Sequence, residues 1–168
     1  MKTTLVAVSG MSPAILTETI WALAEENPPI VPDEVVVITT SRGERDLREQ
    51  LLSKRDGAWG GKTVWEQFRA DVFALAKSPD GDNARLQLSL RVVELPDAES
   101  GVRRKADDLR SGSDHDETAD FIVGTLAPFC DAEDNHVIAS IAGGRKTMGA
   151  LLYAAMSLIG KESDRVTH

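Results

Sequence analysis

Residues 136–160 read HVIASIAGGRKTMGALLYAAMSLIG. His136 to Ala142 is largely apolar and holds three β-branched side chains, the pattern of a strand covered on both faces. Gly143 and Gly144 then end it. Met148, Leu151, Leu152, Ala155, Met156 and Ile159 recur at i, i+3, i+4 and i+7, which predicts a helix over Arg145–Ile159 with one buried stripe. Gly160 closes that helix. A buried strand, a glycine turn and a one-sided helix form the repeating unit of an α/β fold.

The same unit opens the chain. Thr3 to Ser9 (TTLVAVS) predicts a buried strand bounded by Gly10, and Ser12 offers an N-cap with Pro13 at the first helical position. Ile15, Leu16, Ile20 and Leu23 then recur at helical spacing. Three prolines between Asn27 and Pro32 break the helix. Glu34 to Thr40 (EVVVITT) predicts a second strand and Gly43 to Lys54 a charged helix. The chain is turn-like from Gly57 to Gly61, and Val64, Phe68, Val72 and Leu75 mark one face of another helix. A polar turn at Asp80–Asn83 leads into a third strand over Leu86–Leu95. Pro96 to Asp114 has little pattern and reads as a surface excursion. Asp114 with Glu117 suggests a capping box for a helix carrying Phe121, Ile122 and Leu126 and ending near Pro128. Strands alternating with helices imply a mainly parallel sheet with right-handed crossovers in one domain over residues 1–168.

The composition bounds the function. A chain of 168 residues suits one core, and a single cysteine, Cys130, excludes an intrachain disulfide and any multi-cysteine metal site. It reads as an inert buried thiol in a protein of the reducing cytoplasm. His115, His136 and His168 are too far apart in sequence to read as a ligand set. No apolar run approaches the roughly 20 residues that span a bilayer, and the start does not resemble a cleaved signal peptide. Against 27 acidic residues stand 19 basic ones, a net charge of -8, so the overall field repels duplex nucleic acid.

Ligands of an open α/β sheet bind where strands end and helices begin. Two such ends stand out, Ser9-Gly10-Met11-Ser12-Pro13 and Ala142-Gly143-Gly144-Arg145-Lys146-Thr147. Glycines let a ligand approach the backbone, and helix-start N–H groups favour an anion. Cations beside a helix N-terminus oppose its dipole, so adjacent Arg145 and Lys146 call for an anion there. The bland alternatives are solvated side chains at Arg145-Lys146 and a simple helix cap at Ser12-Pro13. Gly61-Lys62-Thr63 fails as a phosphate-binding loop because Asp56 stands where the motif needs glycine. Arg145 breaks the same motif at Gly144-Thr147, and Gly10 lacks the partners of a dinucleotide fingerprint. Asp107, Asp108, Asp114 and Asp116 read as a solvated charge run rather than a cation site. Trp21, Trp59 and Trp65 have the rings to stack on bases, though Trp21 on a helix reads as packing.

LVAVSGMSPAILTETIWAL (residues 5–23) and SIAGGRKTMGALLYAAMSLIG (residues 140–160) resemble the CRISPR-associated Rossmann fold (CARF) proteins of type III CRISPR systems, nearest the ring-nuclease-like branch. Asp108-Leu109-Arg110, Asp114 and Ala119-Asp120-Phe121-Ile122 look similar to it too. The resemblance implies a Rossmann-like three-layer sandwich that forms a homodimer and binds a cyclic oligoadenylate, most often the tetraadenylate, across its two-fold axis. Ser9, Gly10, Met11, Ser12 and Pro13 match the family's first ligand loop, and Gly143, Gly144, Arg145, Lys146 and Thr147 its second. Thr39, Thr40 and Ser41 match hydroxyl contacts.

Some members also cleave the ring without metal or cofactor: a ribose 2′-hydroxyl attacks the adjacent phosphate and leaves a 2′,3′-cyclic phosphate. The implicated serine and lysine fall on Ser12 and Lys146, with Arg145 holding a neighbouring phosphate. No histidine lies in either motif, so turnover is expected to be slow. The segment after Gly160 is expected to lack the family's further strand or a downstream effector region. The alternatives are a non-catalytic sensor for a fused or partner effector and, third, an enzyme using a mononucleotide.

Overall fold

A computed structural model describes residues 1–54, 59–77, 84–97 and 99–168. The turn expected at Asp80–Asn83 and the Gly57 end of the turn-like segment lie outside them.

Hydropathy alternation builds the centre. β1 (Lys2–Val8), β2 (Glu34–Thr39), β3 (Gln87–Val92), β6 (Asn135–Ser140) and β7 (Arg165–Thr167) form one parallel sheet in the order β3-β2-β1-β6-β7. Along β1, Val6 and Val8 enter one core while Leu5 and Ala7 enter the other. The first core is closed by α4 (Gly112–Asp131) and α5 (Lys146–Ile159), through Ile122, Leu126, Met148 and Leu152. The second is closed by α1 (Ala14–Ala24) and α3 (Val64–Leu75), through Leu16, Ile20, Leu23, Trp65 and Val72. This is the expected Rossmann-like sandwich of three layers. Burying each such side chain is worth roughly 1.5–3 kcal/mol, which fixes both helical layers on the sheet.

Strand order places the functional end. From β1 the chain steps outward to β2 and β3, then returns to lay β6 on the other side of β1. The carboxyl ends of β1, β2 and β6 therefore flank the point where the winding reverses, the place where such sheets open a crevice.

Several boundaries differ from the sequence reading. The third strand splits at Val93. β3 stays in register with β2 until Thr39 pairs with Val92, and beyond that β2 offers no further partner. The chain leaves the sheet as β4 (Glu94–Pro96), which pairs antiparallel with β5 (Arg103–Lys105), so part of the supposed excursion is a hairpin. The second helix starts earlier, as α2 (Ser41–Leu47), and passes into a π-helical turn over Arg48–Leu52. α4 is capped at Ser111 with Asp114 as the reciprocal residue, one turn before the expected Asp114–Glu117 box. It also runs through Pro128 to Asp131. The carbonyl that Pro128 leaves without a helical partner belongs to exposed Gly124, while buried Leu126 and Cys130 carry the packing across. After Gly160 the chain does reach a further strand, β7, beside β6. Trp65 packs against Phe68, with ring centroids 5.7 Å apart. Burial pushes the Cys130 thiol up to about 11, in keeping with an inert side chain.

Candidate functional site at the carboxyl ends of β1, β2 and β6

Three backbone segments meet here closely, and at Gly143 and Gly43 at distances that exclude a side chain. A Cβ on Gly143 would lie 2.6 Å from the Val8 carbonyl oxygen, and one on Gly10 would lie 3.4 Å from the Gly144 Cα. A Cβ on Gly43 would overlap Thr39 Oγ1 and lie 2.9 Å from the Gly10 carbonyl oxygen. Gly144 holds φ at 78°, in the left-handed region that glycine enters without cost. The result is a hollow of about 270 Å³ lined from all three strand ends.

Six residues expected at a ligand site line it together: Ser9, Gly10, Met11, Thr40, Gly144 and Arg145. The others surround it. Gly143 is part of its floor by close approach to Val8. Thr39 is fully buried and donates its hydroxyl to the Ser9 carbonyl at 2.7 Å, so it braces the first loop rather than facing a ligand. Ser41 donates to Asp107 Oδ1 at 2.6 Å. Ser12, Lys146 and Thr147 are exposed and lie outside the lining, and Pro13 is buried. The lining adds Arg42, Gly43, Asp107, Asp108, Arg110 and Met148. Arg42 and Gly43 directly follow the predicted Thr39-Thr40-Ser41, so the end of β2 already pointed to them. Asp108 and Arg110 belong to the Asp108-Leu109-Arg110 stretch that shares in the family resemblance, but nothing in the local pattern placed them or Asp107 at a ligand site.

The expected anion for Arg145 is supplied internally. Its guanidinium pairs with the Asp108 carboxylate, and Nη1 reaches the Leu109 carbonyl at 3.5 Å. Asp108 also lies 3.3 Å from Arg110 Nε. Partial burial pushes the Asp108 carboxyl upward, but the Leu109 N–H, Arg110 and Arg145 outweigh it and hold the group below the ordinary range. Asp107 is held low chiefly by the Ser41 hydroxyl, with Arg45 Nη2 at 3.5 Å adding to it. Neither aspartate is the merely solvated charge that the sequence suggests. Lys146 makes no ion pair among the described residues.

Helix starts distinguish this end further. Thr40 caps α2, Thr63 and Glu66 form a capping box on α3, and Ser111 and Asp114 form one on α4. α1 and α5 have no side-chain cap. Ser12 therefore does not serve as the predicted cap: Pro13 occupies that position, in helical conformation and with no side-chain acceptor to offer. The two uncapped helices are the two that follow the glycine-rich ends. Their first-turn N–H groups lack the side-chain acceptors that the other helices take from their own residues. A second, open hollow between α1 and α3 is lined by Trp21 and Phe68 with Glu18 and Glu25, and gathers none of the predicted ligand residues.

The model of a family described as CRISPR-associated protein NE0113 (Cas_NE0113) matches residues 12–168. No curated protein matches the chain. The match takes in the second glycine-rich helix start and every strand of the sheet except β1, and the chain belongs to this CRISPR-associated family.

Proposed function

We propose that this CRISPR-associated protein binds a cyclic oligoadenylate, the tetraadenylate first, across a homodimer and opens the ring slowly through attack of a ribose 2′-hydroxyl on the neighbouring phosphate. The observation that carries the reading is the meeting of the uncapped α5 start, a glycine floor and the guanidiniums of Arg42, Arg110 and Arg145 at one strand-end hollow, on a chain whose net charge is -8. Anions are attracted to that spot and repelled elsewhere. A hollow of about 270 Å³ is smaller than the sites that enclose a drug-sized ligand, roughly 300–1,000 Å³. One protomer thus grips part of a ring, and a two-fold partner presents the same grip to the other half.

In this reading Arg145 holds a phosphate, and Ser12 and Lys146, exposed at the rim, meet the stretch of ring that crosses between protomers. The chemistry asks little of an acid or base. The chain has to hold the attacking hydroxyl in line and stabilise charge growing on the phosphate oxygens, tasks suited to Lys146 and the α5 N–H groups. A second reading, a CARF sensor that binds without cleaving, is favoured by the position of Ser12 and Lys146, both exposed and outside the lining of the hollow.

Incubating the protein with labelled cyclic tetraadenylate in EDTA decides between the two. Linear products ending in a 2′,3′-cyclic phosphate support the nuclease, binding without products supports the sensor, and absence of binding overturns both. Arg145→Ala is expected to weaken binding about tenfold, the loss of one charge-assisted contact of roughly 1.4 kcal/mol. Lys146→Ala should lower turnover with the melting temperature unchanged.

A further inference from the structure

We propose that the outer face of α5 is the seam along which two copies of this chain meet, with the two helices side by side and parallel so that both hollows open at the same end. The inference names the contact that the proposed homodimer needs, and it rests on that reading for what the seam closes. A hollow of about 270 Å³ at the head of α5 takes part of a ring, and the rest of the grip has to come from the partner.

From Thr147 to its end at Ile159, α5 carries no charged residue. Thr147, Ala150, Tyr153, Ala154, Ser157 and Leu158 are nevertheless exposed, Tyr153 by 55% and Leu158 by 80%. At the pitch of a helix these residues share one side, with Ala150 and Ala154 along its midline and Tyr153 and Leu158 at its flanks. Small residues on the midline let a second backbone approach, and the flanking side chains then leave water. Among the described residues every other α-helix exposes charge: Glu18 on α1, Arg45 on α2, Asp71 on α3 and Asp120 on α4. A partner selected by charge finds nothing to match on α5. A second copy does match it. Two chains of net charge -8 repel each other, and a two-fold contact sets each residue near the axis against its own copy, so a charge there would meet its like. The charge-free face avoids that penalty. Direction follows from the hollow: an antiparallel pair would send the two α5 starts to opposite ends, whereas an axis running along the helices sets them together. Lys146 lies on the same side of α5 at its head and is exposed, so the two ammonium groups approach there, and an anion between them relieves their repulsion.

Sedimentation equilibrium on the full chain, with and without cyclic tetraadenylate, tests this, together with calorimetry on the same samples. The wild type is expected to run at twice the mass of one chain and to take one ring per dimer. Ala154→Glu and Ala154→Lys each put a charge on the midline with a good helix former, so each variant should keep its circular dichroism and run as a monomer. An equimolar mixture of the two should recover the dimer, because opposite charges then face each other. A wild type that stays monomeric with and without the ring overturns the proposal, since another partner then covers the face. So do variants that remain dimeric, monomeric variants that fail to pair when mixed, and a stoichiometry of one ring per chain, which would set the hollows apart. A dimer that ignores both Ala154 variants and still binds the ring loses the seam and keeps the function reading. A dimer that depends on Ala154 and takes no ring keeps the seam and removes the function reading.

Discussion

α4 begins with its own anion and α5 begins without one. Both helices lie on the same face of the sheet, pack against each other and start near the hollow. At α4, Ser111 accepts from the Asp114 N–H at 3.1 Å while Asp114 Oδ2 accepts from the Arg110 and Ser111 N–H groups at 2.7 and 3.0 Å. At α5, Arg145 occupies the cap position with no side-chain cap, and Gly143 and Gly144 press its approach against β1. A helix start that satisfies itself contributes stability alone. A start left open, beside a glycine too close to β1 for a side chain, leaves donors that the proposed anion would satisfy.

Paired substitutions sharpen the contrast. The largest effect is expected from Gly143→Ala, whose Cβ would meet the Val8 carbonyl oxygen at 2.6 Å. Overpacking of this kind costs about 1–3 kcal/mol, read as a lower urea midpoint. A cost no larger than that of a glycine substitution at α4 would remove the close approach as an explanation.

Next comes Ser111→Ala, which deletes a cap and should cost about 1 kcal/mol of stability while leaving affinity for the ring unchanged. A drop in ring affinity would mean that the α4 start also belongs to the site. The same cap sets an acid limit. The Arg110 N–H, then the Ser111 hydroxyl and N–H, lower the Asp114 carboxyl to about 2. Its unfolded value is about 3.9, so the stability it contributes is complete above that pH and is lost as pH falls toward 2. Asp114→Asn should flatten the pH dependence of the melting temperature across that window.

The smallest effect is expected from Gly112→Ala at the first position of α4. Nothing lies within 4 Å of the added Cβ, so stability should stay level or rise by up to about 1 kcal/mol.

How far the sequence reached depended on the range of the forces involved. α5 was legible almost to its ends because Met148, Leu152 and Met156 repeat at the pitch of a helix. The strands around Val6, Val36 and Ile138 were legible because few apolar runs of that length can be anything else. Val93 was not legible as a break, since β3 ends there only because its neighbour β2 has run out. Pro128 misled for a related reason: the local penalty is real, but Leu126 and Cys130 outweigh it through packing that a local rule does not see. At the site, Gly10, Gly144 and Arg145 were identifiable from the strand-turn-helix grammar. Thr39 fitted that grammar equally well and turned out to be internal bracing.

Residue order therefore determined the layers, the family and the two glycine-rich helix starts, because hydrophobic periodicity and turn chemistry act over a few neighbouring residues. Tertiary structure alone decided which charges share the hollow. Arg145 meets the Asp108-Leu109 segment across 36 positions and Asp107 meets Ser41 across 66. Those meetings follow from strand order and from where the β4–β5 hairpin returns, and electrostatic pairing over such separations leaves no periodic trace along the chain.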